Sequence, residues 1–184
     1  MLQRASIGYT LIELLMVVAI LSIVAVIALP VTQRVTESGA DVAADDVAHL
    51  LRFARDDARR TGEQRLVSCD RATGKLALQA VKAADSSKDP TYGPGEAIRR
   101  PGSVANYVVT PDATSAMTLV SCSFTFADNA TANTVVFDAA GNPVRGLGKG
   151  PVREKTLRAG AIVLGAGHVQ RSVHLNVTGR ITQS

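Results

Sequence analysis

The sequence predicts an α+β protein, a long N-terminal helix packed on an antiparallel β-sheet or a small β-sandwich. Three observations predict it. Residues 14–29 are uncharged and, Ser22 apart, apolar, and the run stops at Pro30. From residue 40 to 60 apolar residues recur at helical spacing. Beyond residue 63 the chain breaks into short alternating segments separated by Gly, Asn and Asp turns. A helix first and strands after it is an α+β order.

The first element spans residues 9–30, which number 22. As a helix they would reach roughly 33 Å, matching the ~30 Å hydrocarbon core of a bilayer. Glu13 is the one charge in that span. A carboxylate in a membrane helix costs a few kcal/mol, roughly, and so points to a function and a partner. A secretory signal peptide is the plain alternative, with Arg4 in the leader. The apolar run is at or beyond the length of such a signal, and Glu13 sits where a signal would be apolar or basic. An ordinary membrane anchor explains the length but not Glu13.

Pro30 lacks a backbone donor and is expected to kink the helix. Past it, Ala43, Val47, Leu50, Leu51, Ala54 and Ala58 form one apolar stripe. Asp45, Asp46, Arg52, Arg55, Asp56, Arg59 and Arg60 occupy the other face. Acids early and arginines late suit the helix dipole. Gly62 is the expected stop. The division is then 1–8 leader, 9–30 membrane and assembly helix, 31–62 amphipathic half, and 63–184 β-rich globular domain.

Strands are expected over 64–69 and 75–81 as a hairpin, then 106–110, 117–126 and 134–138, with 158–164 and 171–177 as a closing hairpin and 180–182 last. Residues 82–103 read as a surface loop, 128–133 as a turn and 145–151 as a Gly-rich loop. Aromatics are only 4% and Trp is absent, so Val, Leu, Ile and Ala must build most of the core.

Catalysis has little to stand on. No Ser-His-Asp or Cys-His grouping has a local signature. Gly146, Gly148 and Gly150 make no phosphate loop, because no Lys-Ser/Thr opens a helix after them. His49, His168 and His174 lack metal-ligand spacing. No enzyme, metal or cofactor is expected. Charge is uneven: from residue 139 on there are seven bases against Glu154 alone, while residues 83–138 carry three bases and six acids. Clustered cations can bind phosphates without reading sequence.

The stretch Gly8-Tyr9-Thr10-Leu11-Ile12-Glu13-Leu14-Leu15 resembles the class III signal of type IV pilins and type II secretion pseudopilins. The resemblance implies cleavage by a prepilin peptidase between Gly8 and Tyr9, methylation of Tyr9, and Glu13 as the assembly carboxylate. Three further pieces are similar to the GspH/FimT group. They are the helix end Leu50 to Ala58, the strand-turn Val135 to Gly141 with its Phe-Asp-x-x-Gly pattern, and the closing strand and Gly-Arg turn Val173 to Ile181. They imply the pilin fold and a minor pilin or pseudopilin subunit, held in the bacterial inner membrane by one span with its C-terminal domain in the periplasm. After cleavage it would enter, or cap, a type IV pilus or type II secretion pseudopilus. The implied partners are other pilins, the peptidase, the inner-membrane assembly platform and the membrane itself. A DNA-binding minor pilin for natural transformation is the alternative, with Arg158, Arg171 and Arg180 as contacts and DNA as partner. The related Gly-Arg-x-Arg motif here reads Gly179-Arg180-Ile181-Thr182, without the second arginine. A major pilin is a further alternative. In a periplasmic domain Cys69 and Cys122 are expected to form a disulfide rather than remain two buried thiols.

Overall fold

A computed structural model describes residues 10–83, 92–103, 105–111, 117–146 and 155–184, with backbone only at 24–37, 82–83 and 92–93. Helix α1, Leu11–Thr61, has 51 residues and is about 77 Å long. Thr10 is its extended N-cap residue, and the chain leaves it at Gly62, whose N–H returns to the Ala58 carbonyl. The helix runs on through position 30. A proline there removes one intrahelical donor but does not end the helix.

The second half of α1 is where the domain forms. Ala40, Ala43, Ala44, Val47, Leu50, Leu51, Ala54 and Ala58 are buried. Small alanines on the stripe let the sheets approach the helix axis, and Leu50 and Leu51 fill the space between. Each fully buried leucine or valine contributes roughly 1.5–3 kcal/mol.

Eleven strands follow among the described residues. β1 (Arg65–Asp70), β2 (Lys75–Ala83), β3 (Tyr92–Ala97), β4 (Val108–Val109), β7 (Thr134–Phe137) and β8 (Pro143–Val144) form one sheet, ordered β3-β2-β1-β7-β8 with β4 also on β2. The second sheet is ordered β11-β10-β9-β5-β6, from β5 (Thr118–Phe126), β6 (Thr131–Ala132), β9 (Leu157–Ala166), β10 (Val169–Asn176) and β11 (Ile181–Gln183). All pairs are antiparallel. Registers place Val67 opposite Leu78 and Val135, and Ile162 opposite Cys122 and Val173. Helix α1 packs against both sheets. Phe124, Phe126, Phe137, Leu157 and Met117 complete the core.

The expected loop 82–103 is corrected by β3, an edge strand whose Gly93, Pro94 and Gly95 disguise it; proline is tolerated at sheet edges. The expected turn 128–133 contains β6, and β8 precedes the Gly-rich loop. At two residues each, these strands are too short to alternate visibly. Residues 84–91 of the predicted loop 82–103 and 147–151 of the predicted loop 145–151 lie outside the described residues.

Candidate functional site

The N-terminal part of α1 offers a surface with no partner in its own chain among the described residues. Leu11 is 81% exposed, and Ile12, Leu14, Leu15, Met16, Val17, Val18, Ile20, Leu21 and Ile23 are exposed beside it. Glu13 lies in the first turn, exposed, its N–H bonded to the Thr10 carbonyl at 3.1 Å. A carboxylate there is favoured by the positive end of the helix dipole. Gly8 and Tyr9 lie outside the described residues. Among the described residues no helix is long and apolar enough to cross a membrane, and the predicted span 9–30 runs past them at both its start and its side chains from residue 24.

At the other end of α1 the three motif pieces meet in space. Asp138 and Asn176 each open a hairpin turn of the same form. The Asp138 Oδ1 accepts the N–H groups of Ala140 at 2.9 Å and Asn142 at 2.7 Å. The Asn176 Oδ1 accepts those of Thr178 at 3.0 Å and Arg180 at 2.8 Å. Such side-chain caps are why Asp and Asn favour turns. Gly141 and Gly179 take the fourth position with φ of 80° and 76°. A Cβ on Gly179 would stand 3.2 Å from the Gly141 carbonyl oxygen and 3.2 Å from the Arg55 Cδ. One on Gly141 would stand 2.6 Å from the stem of Arg59. The Arg55 guanidinium donates to the Gly179 carbonyl at 3.0 Å and pairs with Asp56. One arginine therefore fastens the helix to the turn of the second sheet, while its neighbour one helical turn on covers the turn of the first.

A second fastening lies at the helix end. The Arg65 Nε donates to the Asp57 Oδ2 at 2.6 Å, with both side chains almost wholly buried. Arg65 also reaches Glu63 at 2.9 Å and the Thr61 hydroxyl at 2.8 Å, and Arg60 donates to Asp57 at 2.6 Å. Burial pushes the Asp57 carboxyl up, but the hydrogen bonds and charges of Arg65 and Arg60 outweigh it and hold the group below its usual value. The buried pair was missed in the sequence. Its one signal is an aspartate next to Ala58 on the apolar stripe.

Cys69 and Cys122 are joined as a disulfide, linking β1 of one sheet to β5 of the other with a Cα–Cα distance of 6.3 Å. Beside it Asn133, where the chain passes between sheets, accepts the Cys69 N–H and donates to its carbonyl, both at 3.0 Å.

The three C-terminal arginines face different surroundings. Arg171 shares the inward face of β10 with Val173 and Leu175 and bonds Asp41 on α1 at 2.6 Å. Arg158 stands at the β5–β9 irregularity and donates to Asn129 at 3.1 Å. Arg180 is exposed on the Gly179 turn. Arg158 and Arg180 flank the same end of β10, five residues from Arg171, or roughly 17 Å along a strand. His49, His168 and His174 are all exposed, and His174 contacts the Ser184 hydroxyl at 3.2 Å. No group of three ligand-type residues among the described residues could hold a metal.

The sequence matches the family model of the prokaryotic N-terminal methylation motif over residues 3–29, and that of type II transport protein GspH over residues 43–179. The chain belongs to the GspH family. Its subunits are structural parts, not enzymes. No curated protein matches it. Among solved structures, the minor pseudopilin EpsH of the Vibrio cholerae type II secretion system is similar at 10% identity and a TM-score of 0.50, over 80% of this chain and 97% of that one. The Pseudomonas aeruginosa type IV minor pilin FimU aligns at 17% identity and a TM-score of 0.42, over 84% of this chain and 92% of that one. At 10% identity the EpsH likeness shows the fold, a helix on antiparallel sheets, and the GspH match carries the family.

Proposed function

We propose that this GspH-family chain is a minor pilin or pseudopilin subunit, cut between Gly8 and Tyr9, methylated at Tyr9, and assembled through Glu13 into or at the tip of a pilus or pseudopilus. The observation that carries it is the divided helix: one half buried under its own domain, the other apolar, exposed and interrupted by a single carboxylate. The apolar half serves twice. Before assembly it holds the subunit in the inner membrane with the β-domain in the periplasm, and afterwards it packs among the helices of other pilins. Cleavage frees an amine on Tyr9, and methylation leaves it cationic. In a bundle of parallel, staggered helices Glu13 of one subunit reaches the amine of another, so two charges that are each costly in an apolar medium offset each other.

Co-expression with a prepilin peptidase tests the first step. A loss of the eight leader residues, read by mass spectrometry of the intact chain, is the expected result. Glu13→Ala tests the second. Filament incorporation should fall roughly tenfold or more, since each 1.4 kcal/mol of lost pairing is a factor of ten. Wild-type incorporation of the variant would sink the pairing.

The DNA-uptake reading has Arg158 and Arg180 exposed at one end of the second sheet, while Arg171 is engaged with Asp41. Retardation of DNA by the protein at low salt, lost in Arg158→Ala with Arg180→Ala, would favour that reading over a purely architectural one.

A further inference from the structure

β5 is paired unequally on its two sides. β9 follows it along its length, but β6 covers only Phe124 and Thr125. β1 is paired with β7 only over Arg65 to Ser68. Past those points β1 and β5 run on without pairing each other, held by the Cys69–Cys122 bridge. At that bridge their Cα atoms are 6.3 Å apart, too close for another strand, which needs about 4.8 Å on either side. Beyond it, a cavity of about 230 Å³ lies between the β1–β2 turn and the start of β5. Arg71, Thr73 and Gly74 line one wall and Met117, Thr118 and Leu119 the other.

The cleft has three kinds of surface. Its apolar lining is Met117 and Leu119, both buried. Its second wall is the start of β5 at Thr118 and Leu119. Just beyond it Val120 is an exposed extra residue in the register, and no strand among the described residues pairs the outer edge over Thr118 to Ser121. An unpaired strand edge presents N–H and C=O groups ready for another chain. Its rim is Arg71, exposed and without an ion-pair partner among the described residues. The neighbouring carboxylate does not neutralise Arg71 by contact, because Asp70 is taken up by its own turn. It accepts the Thr73 hydroxyl at 2.7 Å and the Ala72 N–H at 2.9 Å.

We propose that this cleft binds the carboxyl end of an extended peptide from another protein, with its main chain added to the β5 edge and its carboxylate on Arg71. The polarity follows from the geometry. An antiparallel addition places the peptide's C-terminus near Thr118, the end of β5 that lies beside the Arg71 turn. The disulfide stops the added strand after three or four residues. The cavity is below the ~300 Å³ where small-molecule sites begin, so it takes one or two small side chains. Main-chain pairing supplies affinity and the pocket supplies selectivity, as in other strand-addition sites. The inference does not depend on the filament reading, because any partner with such an end would fit.

The test uses the full-length protein in detergent and two probes, acetyl-Thr-Val-Thr-Val with a free carboxyl group and the same peptide as an amide. Hydrogen exchange of residues 117–121 should be fast at the outer edge in the free protein and slow with the acid peptide. The acid should bind about tenfold more tightly than the amide, the scale of one charge-assisted hydrogen bond. That preference should vanish in Arg71→Ala with the thermal midpoint unchanged. Protection of the outward-facing amides of 117–121 before any peptide is added would overturn the proposal. So would equal affinity for acid and amide, absence of saturable binding by the acid, or an acid preference that survives Arg71→Ala.

Discussion

Between residues 11 and 23 helix α1 exposes nearly every large side chain it has, whereas between residues 40 and 58 it buries a stripe of alanines, leucines and a valine. Both stretches are one continuous helix. They differ in the distribution of polarity around the axis. The first is apolar all round, so no single packed layer can cover it, and a membrane or a bundle of other helices is the surrounding it fits. The second has one apolar face and one charged face, so two sheets of the same chain suffice. The contrast separates what this protein does alone, which is fold, from what it does with others, which is assemble.

That separation can be broken by substitution. The largest effect on folding is expected at Asp57. Removing one member of a buried ion pair strands the other, and Asp57→Ala should cost roughly 3–5 kcal/mol in denaturant unfolding. The same variant sharpens the pH dependence. The folded Asp57 carboxyl is held below its usual value, so its stabilising contribution is full above the unfolded value of about 3.9. It fades as pH falls through the folded value. Wild-type stability should therefore drop on acidification below about pH 4, and the drop should be shallower in Asp57→Ala. An equal slope in the two proteins would separate the ion pair from acid stability.

Leu51→Ala comes next. It opens a cavity between helix and sheets and should cost roughly 2–5 kcal/mol. Leu15→Ala, in the exposed half, should leave the unfolding of the detergent-held monomer unchanged. A comparable loss in both would mean that the two halves are one folding unit after all.

The smallest effect is expected at the junction of the turns. Gly179→Ala places a side chain in the left-handed region and against the Gly141 carbonyl, at a cost of roughly 1–3 kcal/mol. Its equilibrium unfolding should shift by that amount while the exposed half of α1 keeps its exchange behaviour.

Much of this was legible along the chain. The apolar stripe Ala43, Val47, Leu50, Leu51, Ala54 and Ala58 is buried throughout, because a helix repeats every 3.6 residues and shows its core face to a reader of spacing. The long strands were legible for the same reason at period two. β3 was not, since Gly93, Pro94 and Gly95 carry loop chemistry and only pairing with β2 makes them a strand. Arg171 was grouped with Arg158 and Arg180 by charge alone. Its place on the inward face of β10, against Asp41, removes it from their company.

The sequence by itself determined the N-terminal methylation motif, the lone Glu13 in an apolar helix, the amphipathic half and the order of helix before strands. Each is a local pattern set by side-chain chemistry and backbone period. Only the tertiary structure decided that the helix end, the Asp138 turn and the Asn176 turn share one junction, and that Asp57 meets Arg65 in the core. It alone decided that the β1–β2 turn and the start of β5 flank a cleft. Those contacts join residues far apart in the chain or depend on which strands find each other, and neither spacing nor composition records such pairings.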